Sequence, residues 1–264
     1  MNSNRDPRST FNEDAALYDE ARPGYPDAAF ADLLSITGLE PPSHVLEIGA
    51  GTGHATLPLA RRGFRIDCVE LGAEMAALAC QRLAEFSAVT ITVADFDRWT
   101  VQQRYRLVFA ASAYHWLNPH GRVTRISTLL GPGGFVAVLR NFHVQGEASA
   151  GFNASIQQIY ARLFPASKPP RGLHRPEDVV PEASLEWAES GVFSNVQTRT
   201  YAWQQRLTAE QYARNLATHS DHRLLSPEVR SQLFAQISHC IDHDFHGIAT
   251  KQYLTLLEVA QKIS

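Results

Sequence analysis

The sequence is poor in the features that mark membrane, secreted and metal-binding proteins. Its 264 residues include three cysteines, Cys68, Cys80 and Cys240, whose spacing matches no metal site. No apolar run approaches the roughly 20 residues that a membrane-spanning helix needs. The first residues, MNSNRDPRST, lack the apolar segment of a secretory signal. We therefore expect reduced thiols, no membrane span and a cytoplasmic location.

An excess of charge of one sign is also absent. The formal net charge is -3, and 19% charged with 44% hydrophobic residues is the balance of a soluble globular protein. This charge gives no electrostatic reason to expect nucleic acid as a partner. The length fits a single α/β domain over residues 1–264 that contains an insertion. Residues 1–10 are polar and aperiodic, and we expect them to be disordered.

The pattern on which the rest of the chain depends is VLEIGAGTG at residues 45–53. An apolar strand pattern is followed by a turn of small residues, and helical spacing begins at His54. A buried strand that breaks into a glycine turn and leads into a helix brings backbone N–H groups close to a ligand. Glycine is needed there because a Cβ would block that approach or forbid a positive φ. The pattern therefore predicts a ligand site at this turn.

The spacing of the glycines separates the candidate ligands. A dinucleotide-binding turn, G-x-G-x-x-G, requires glycine where this chain has His54. A phosphate-binding loop of the form G-x-x-x-x-G-K-[ST] requires a lysine, and none lies nearby. Glu47, two residues before the first glycine, would repel a pyrophosphate but suits a ligand that carries an ammonium group. An NAD-dependent oxidoreductase is therefore the weaker alternative.

With its acid and three glycines, Glu47–Gly53 resembles motif I, E/D-x-G-x-G-x-G, of the class I S-adenosylmethionine (SAM) dependent methyltransferases. Tyr18–Pro23 resembles the Y-x-x-x-R-P entry segment of small-molecule methyltransferases related to the trans-aconitate and ubiquinone/menaquinone enzymes. The resemblance is close from Phe11 to Arg140 and mainly organisational beyond. It implies SAM as the cofactor. It also implies an α/β, Rossmann-like sheet of seven mostly parallel strands in the order 3-2-1-4-5-7-6, with a partial helical cap.

The resemblance also implies which residues hold SAM. The cofactor-binding candidates are Arg22, Glu47, Gly49, Ala50, Gly51, Gly53, Glu70, Leu71, Met75, Asp95, Phe96 and Ser112. Glu70 ends the second predicted strand, Phe64–Glu70, where a carboxylate can accept hydrogen bonds from both ribose hydroxyls. Asp95 follows the third, Val89–Ala94, at the position where an acid of the family accepts from the adenine amino group. Phe96 would supply its backbone N–H or its ring edge.

Two apolar candidates follow Glu70. Leu71 and Met75 lie where the family packs the adenine ring. A methionine at helical spacing, here in the predicted helix Ala73–Phe86, is more commonly a core residue. Met75 is therefore either a contact of the adenine ring or a core residue.

The segment before the first strand contains a predicted bend. A helix at Phe11–Leu17 leads into Tyr18–Pro26, where two prolines and a glycine exclude the interior of a helix. In the relatives, the arginine that matches Arg22 helps to fix the SAM carboxylate, and a guanidinium fork suits that role. A simple connector with an exposed arginine is the alternative.

The candidate catalytic residue follows the fourth predicted strand, Arg106–Ala111, whose continuous apolar run indicates burial on both faces. In this family the next segment, here Ser112–Pro119, faces the methyl group. His115 could accept a proton from a hydroxyl nucleophile, because the reference pKa of histidine is ~6.5. Tyr114 or Trp116 could place a ring against the sulfonium. The alternative is that His115 only bonds to backbone and that Trp116 is a core residue.

A fifth strand is predicted at Phe135–Arg140, after the glycine-rich turn Gly131–Gly134. Asn141, Phe142 and His143 follow at its end. In an open α/β sheet this is the edge that carries ligands.

Residues 144–191 and 208–246 are the predicted cap and substrate region. They flank the sixth strand, Val196–Leu207, and precede the seventh, Tyr253–Val259, which we expect to be antiparallel. The loop Pro165–Pro181 is rich in Pro, Arg and Lys, and loops of this length are often lids or binding loops.

The cap carries several histidines. His239 and His243 lie one helical turn apart and could form a metal pair. No third ligand has suitable spacing, and class I chemistry needs no metal. We therefore expect hydrogen-bonded or solvated histidines and no metal site.

These patterns predict transfer of a methyl group from SAM to a small organic acceptor by in-line displacement. A SAM-binding accessory or regulatory protein without turnover is the alternative from a different class. The partner is expected to be a small molecule, and the chain a monomer or homodimer. The sequence names neither the acceptor nor the methylated atom, although Lys168, Arg171 and Arg175 leave an acidic acceptor open.

Overall fold

The computed structural model describes residues 12, 14–164, 173–223 and 225–263. The predicted disorder of residues 1–10 lies outside this part of the chain, as do Lys168 and Arg171 of the predicted loop.

Seven strands form one sheet in the order β3-β2-β1-β4-β5-β7-β6. The strands are β1 His44–Ile48, β2 Arg65–Glu70, β3 Val89–Val93, β4 Tyr105–Ala111, β5 Leu130–Val144, β6 Phe193–Leu207 and β7 Ala249–Lys262. Strands β1 to β5 pair in parallel, and β7 is antiparallel to both β5 and β6. The predicted fold and strand order are confirmed.

The helices connect the strands and form the cap. Among the described residues they are α1 Ala15–Ala21, α2 Asp27–Thr37, α3 Thr56–Arg61, α4 Ala73–Arg82, α5 Arg122–Leu129, α6 Ala150–Leu163, α7 Glu182–Glu189, α8 Ala209–Ala217, α9 Ser220–Arg223 and α10 Pro227–Asp244. Several ends differ from the predicted ones by a turn or less, since fraying ends carry little sequence signal.

Apolar helix faces cover both sides of the sheet. On one side α2, α3 and α4 pack over the parallel strands, where Phe30 meets Phe109 edge to face at 6.3 Å. On the other side α5 and α7 pack, and Trp187 of α7 is fully buried. Because alternate residues of a strand face opposite sides, Val45 and Leu46 of β1 are each buried in a different layer.

The cap has a core of its own. Helices α6, α8 and α10 enclose a third apolar cluster, in which the rings of Phe152 and Tyr212 meet edge to face at 5.1 Å. Helix α7 packs in the sheet layer instead, although it falls within the predicted cap and substrate range 144–191. The sequence pattern predicts this helix. It does not predict which layer the helix packs in, because that depends on the tertiary fold.

The last strand is much longer than the predicted Tyr253–Val259. It pairs with β6 from Phe193 opposite Lys262 to Leu207 opposite Ala249. A strand inserted between two others is buried on both faces, so it lacks the alternation by which its ends could be recognised.

Helix α1 corrects the predicted N-terminal bend. Asp14 begins it by accepting a hydrogen bond from the Leu17 N–H at 3.1 Å, and the helix continues through Tyr18 to Ala21. The extended backbone begins only at Arg22, with φ -84° and ψ 137°. The prolines therefore end the helix without shortening it to Leu17.

No helix in the described ranges is both long and apolar enough to cross a membrane. In the same part of the chain, His, Cys, Asp and Glu side chains form no group of three that could hold a metal ion. The rings of His239 and His243 do share a helix face, with centroids 4.1 Å apart.

Candidate active site

A cleft of about 650 Å³ opens at the carboxyl ends of the parallel strands. This volume lies within the roughly 300–1,000 Å³ of small-molecule sites. Ten predicted site residues line it, namely Arg22, Gly49, Gly51, Glu70, Leu71, Met75, Asp95, Phe96, Ser112 and His115. Glu47, Ala50 and Gly53 do not.

The turn after β1 is built around glycines in the left-handed region. Gly49 has φ 68°, and a Cβ on it would lie 2.6 Å from the Cβ of Ala113. Gly51 has φ 58° and lines the cleft. The glycines therefore let the backbone of β1 and of the segment after β4 approach each other under the cleft floor.

Glu70 lies at the end of β2 and is 9% exposed. Its two carboxylate oxygens accept hydrogen bonds from the backbone N–H groups of Gly51 and Gly72, each at 2.8 Å. Each oxygen keeps a second lone pair, because a carboxylate can accept about four hydrogen bonds. The carboxylate is therefore fixed against the glycine turn and retains acceptor capacity towards the cleft, as a site for vicinal hydroxyls requires.

An apolar slot lies beyond Glu70. Met75 is 4% exposed and Phe96 5% exposed, while Leu71 is exposed at the cleft wall. The guanidinium of Arg125 packs over the Phe96 ring, 4.9 Å from the ring centre. Asp95 lies at the same end of the cleft, and its Oδ1 accepts from the Asp97 N–H at 3.1 Å. This combination suits a flat heterocycle that carries an amino group.

Glu47 lies behind the turn and is fully buried. Burial raises the pKa of its carboxyl to about 8, so the group is mostly neutral at pH 7. The predicted long-range complement to a ligand ammonium group is weakened accordingly. Gly53 packs on α4, where a Cβ would lie 3.1 Å from Leu83, and Ala50 is a buried core residue. These residues shape the turn from behind.

The N-terminal segment closes one side of the cleft. Arg22 lines the cleft with its guanidinium 5.2 Å from the Tyr18 ring, and its Nη2 donates to the Thr218 carbonyl at 3.1 Å. Asp19 fixes the segment to the sheet domain through Arg82 at 2.5 Å and His54 at 3.0 Å. The segment therefore joins the sheet domain to the cap across the cleft.

Tyr25 is a residue that the sequence interpretation missed. Its hydroxyl donates to the Ser112 Oγ at 2.8 Å, from the entry segment to the end of β4. Ser112 has φ 53°, a strained conformation for a residue other than glycine. A tyrosine between two prolines was the available signal, but its partner could be found only in three dimensions.

His115 lies at the cleft rim on a short 3₁₀ helix, Tyr114–Trp116. Partial burial and the neighbouring Arg140 lower its pKa to about 4. Trp116 also lines the cleft, whereas Tyr114 is buried against Trp187, which donates to the Tyr114 hydroxyl at 3.1 Å. Of the two rings proposed to face a sulfonium, the Trp116 ring lines the cleft, whereas the Tyr114 ring packs into the sheet layer.

The opposite end of the cleft is lined by basic side chains that carry no motif. Arg140, His143, His174 and His219 line it, from β5, from the segment after α6 and from the turn after α8. Glu70 and Asp95 are the acidic side chains among the described residues of the lining. The cleft is thus acidic at its β2–β3 end, whereas its β5–β7 end carries three imidazoles and Arg140, which pairs with Glu182 at 2.8 Å.

Residues 45–134 match the family model of a methyltransferase domain. They contain the glycine turn, Glu70, Asp95 and the segment with His115.

Two relatives illustrate the similarity of sequence. Trans-aconitate 2-methyltransferase of Mycobacterium tuberculosis (strain ATCC 25177 / H37Ra) is 30% identical over 148 residues, which is 55% of this chain and 53% of that protein. The chain therefore spans about half the length of this curated relative. An uncharacterised methyltransferase of Mycobacterium tuberculosis (strain ATCC 25618 / H37Rv) is 26% identical over 185 residues, covering 70% of this chain and 72% of that protein.

A solved structure illustrates the similarity of fold. Phosphoethanolamine N-methyltransferase 2 of Haemonchus contortus, in complex with phosphomonomethylethanolamine and S-adenosylhomocysteine, has a TM-score of 0.57 at 16% identity. The comparison covers 100% of this chain and 62% of that one. At this identity the likeness shows the fold alone.

Proposed function

We propose that this chain is a class I SAM-dependent methyltransferase and that it transfers a methyl group from SAM to a small organic acceptor by in-line displacement. The observation that carries the proposal is the Glu70 carboxylate, which the glycine turn holds in a cleft with a second, open end. A binding module without an acceptor would need only the first end.

The residues of the β2–β3 end would hold the nucleoside part of SAM. Glu70 would accept the ribose hydroxyls, and Asp95 the adenine amino group, with Met75 and Phe96 against the ring. Arg22 would bind the carboxylate of the methionine part. The fit is supported by the glycine turn, which brings backbone rather than side chains to the cleft floor.

When bound, SAM supplies an electrophilic methyl group on a sulfonium. The chain then has to align the acceptor with that methyl group, and correct orientation can account for ~7–11 kcal/mol of a barrier. Ser112, His115 and Trp116 lie where the acceptor would enter, between the ends of β4 and β5. His115 would accept a proton only from an acceptor that arrives protonated, and its low pKa makes it a weak base.

Two further properties belong to the proposal. The free thiols of Cys68, Cys80 and Cys240 support a cytoplasmic location. The acceptor named for the relative, trans-aconitate, is a reasonable first acceptor to assay. The expectation of a monomer or homodimer stays a prediction.

The proposal is tested by calorimetry with SAM and with NAD, followed by an assay for S-adenosylhomocysteine release with a panel of small acceptors. We expect SAM to bind, NAD not to bind, and release to depend on an acceptor. Binding of SAM with no release across neutral, phenolic, amine and carboxylate acceptors would favour the accessory protein without turnover. Binding of NAD in place of SAM would favour the oxidoreductase.

A further inference from the structure

Lys251 is a buried positive charge that the proposed reaction does not use. It lies on β7 and is 2% exposed, and its Nζ donates to the Asn215 Oδ1 at 2.7 Å. The rings of Tyr212 and Tyr253 lie 5.5 Å from the ammonium. None of the ion pairs formed by the described residues involves Lys251. The charge is thus surrounded by an amide oxygen and two rings, and not by a carboxylate.

Two polar side chains of the cleft wall lie in the electrostatic field of Lys251. Lys251 helps to lower the pKa of His143 to about 3, after the larger effect of burial. Arg22 likewise helps to lower the pKa of Lys251 to about 7, again after burial. The Nε of Arg22 and the Nε2 of His143 are buried and have no hydrogen-bond partner among the described residues. Nitrogen atoms of all three residues are therefore left without an anionic partner in one region.

Hydrogen bonds of Asn215 also connect the chain beside Arg22 to Lys251. Asn215, which accepts from Lys251, donates through its Nδ2 to the Ala21 carbonyl at 2.7 Å, next to Arg22. Both bonds are buried. The three basic side chains come from the entry segment, β5 and β7, and α8 joins two of these elements.

Burying a cation without a counter-charge is costly, because desolvation removes water that a weak amide contact does not replace. Such a charge is expected either to lose its proton or to meet an anion when a ligand binds. Arg22 and Lys251 are two cations, whereas SAM has one carboxylate. If the SAM carboxylate pairs with Arg22, an anion that keeps Lys251 protonated in the complex has to come from another ligand.

The positions of these residues in the sheet indicate which ligand supplies the anion that faces Lys251. Glu70 and Asp95 lie at the ends of β2 and β3, whereas His143 and Lys251 lie on β5 and β7. The glycine turn after β1 and the segment after β4 lie between these two ends. A nucleoside at the first end leaves the second end to the acceptor.

We propose that the β5–β7 end of the cleft is an anion subsite that binds a carboxylate of the acceptor, with His143 in its wall and Lys251 as the buried charge behind it. The proposal rests on the proposed function, because it assigns the acceptor class of that reaction. Lys251 acts as a positioning residue through its field. If the carboxylate oxygen is itself the nucleophile, it is already deprotonated near neutral pH, so its attack on the methyl group releases S-adenosylhomocysteine and needs no base.

The subsite has a defined dependence on pH. The groups that face Lys251 are Arg22 from the entry segment, His143 from β5, Tyr212 from α8 and Tyr253 from β7. Neutral His143 and the two tyrosines do not change charge near neutrality. Affinity for a carboxylate should be constant from above the pKa of the acid itself, ~4 for a simple carboxyl group, to about pH 7, and should fall above pH 7 as free Lys251 loses its proton.

The test titrates the full chain, saturated with S-adenosylhomocysteine, with succinate, trans-aconitate and benzoate, and with the neutral amide of each acid. At least one acid should bind more tightly than its amide. In Lys251→Met that acid should bind about tenfold more weakly or worse, and its affinity should no longer fall with rising pH. The affinity for S-adenosylhomocysteine should stay within about threefold of the original, because its carboxylate is assigned to Arg22.

Lys262→Met is the matched control. Lys262 lies on the same strand at the other end of the sheet and donates to the Ser127 and Leu130 carbonyls at 2.8 and 3.0 Å. Its loss should leave acid binding within about twofold. Melting curves test whether both variants fold. If Lys251→Met does not fold, Lys251→Arg, which keeps the positive charge, is titrated in its place.

The two proposals fail in different ways. If S-adenosylhomocysteine does not bind, the proposed function is wrong. If it binds but no acid is preferred to its amide, or if Lys251→Met binds the acid as tightly as the original chain, the anion subsite is wrong and the proposed function stands.

Discussion

At the residue scale, Glu70 joins the glycine turn to the predicted ribose site. Glu70→Ala removes the acceptor of two backbone N–H groups, which is also the proposed acceptor of both ribose hydroxyls. Since each charge-assisted hydrogen bond contributes on the order of 1.5–3 kcal/mol, we expect SAM affinity to fall by about tenfold or more. Calorimetry measures this, with Glu85→Ala on the exposed surface as the control. An unchanged SAM affinity in Glu70→Ala would remove this residue from the cofactor site.

The low pKa of His115 predicts how kcat/KM should depend on pH. Its pKa of about 4 means that the imidazole is already neutral at pH 5, unlike a histidine of ordinary pKa. If His115 is the base, kcat/KM should fall only below about pH 4–5, where protonation removes the acceptor lone pair. His115→Asn should abolish this acidic limb and lower kcat while leaving SAM affinity intact. A pH profile of the variant that matches the original, with equal kcat, rejects the base assignment.

At the scale of elements, helix α1 is held to both halves of the molecule. Asp19 bonds to Arg82 and His54 of the sheet domain, and Glu20 bonds to Arg214 of the cap at 2.6 Å. The Asp19–Arg82 pair is partly buried. The Glu20–Arg214 pair is exposed and should therefore contribute little to stability.

Asp19→Ala should therefore loosen α1 from the sheet domain without unfolding it. We expect faster amide hydrogen exchange over residues 15–21 and a SAM affinity weaker by several-fold, because Tyr18 and Arg22 lose their support. Glu20→Ala is the control and should change neither quantity appreciably. Equal exchange rates in the two variants would show that the Asp19 contacts do not hold the helix.

At the scale of the whole molecule, two buried groups should shape the dependence of stability on pH. The pKa of Glu47, about 8, lies above its usual 4.5, so the folded state binds more protons and the free energy of unfolding falls from about pH 4.5 to about pH 8. The pKa of Lys251, about 7, lies below its usual 10.5, so the free energy rises from about pH 7 to about pH 10.5. Each group contributes a slope of at most ~1.4 kcal/mol per pH unit.

Urea unfolding at a series of pH values measures both slopes as differences between variants. Glu47→Gln should remove the fall in its window, and Lys251→Met the rise in the other. A difference curve that is flat in either window would show that the corresponding group does not titrate as its burial implies.

How much the sequence predicts depends on how local the signal is. The strand order came from the resemblance to a family, whereas Glu70 and Asp95 were located at the ends of predicted strands, and both residues line the cleft. His143 was likewise placed at a predicted strand end and lines the cleft, but the positions of Tyr25 and Lys251 could not be predicted in this way. Each is an ordinary residue type whose partner lies far away in the sequence, as with Tyr25 and Ser112 or Lys251 and Asn215.

The insertion of β7 between β5 and β6 has a consequence for synthesis on the ribosome. Strands β1 to β5 can pair as they emerge, whereas β6 gains its neighbour only when residues 249–262 have been made. The end of the cleft at β2 and β3, which is proposed to hold the nucleoside, can therefore form while the chain is still growing. The other end, which depends on Lys251, can be completed only with the last strand, so a ribosome-stalled chain should acquire cofactor binding before it can discriminate between acceptors.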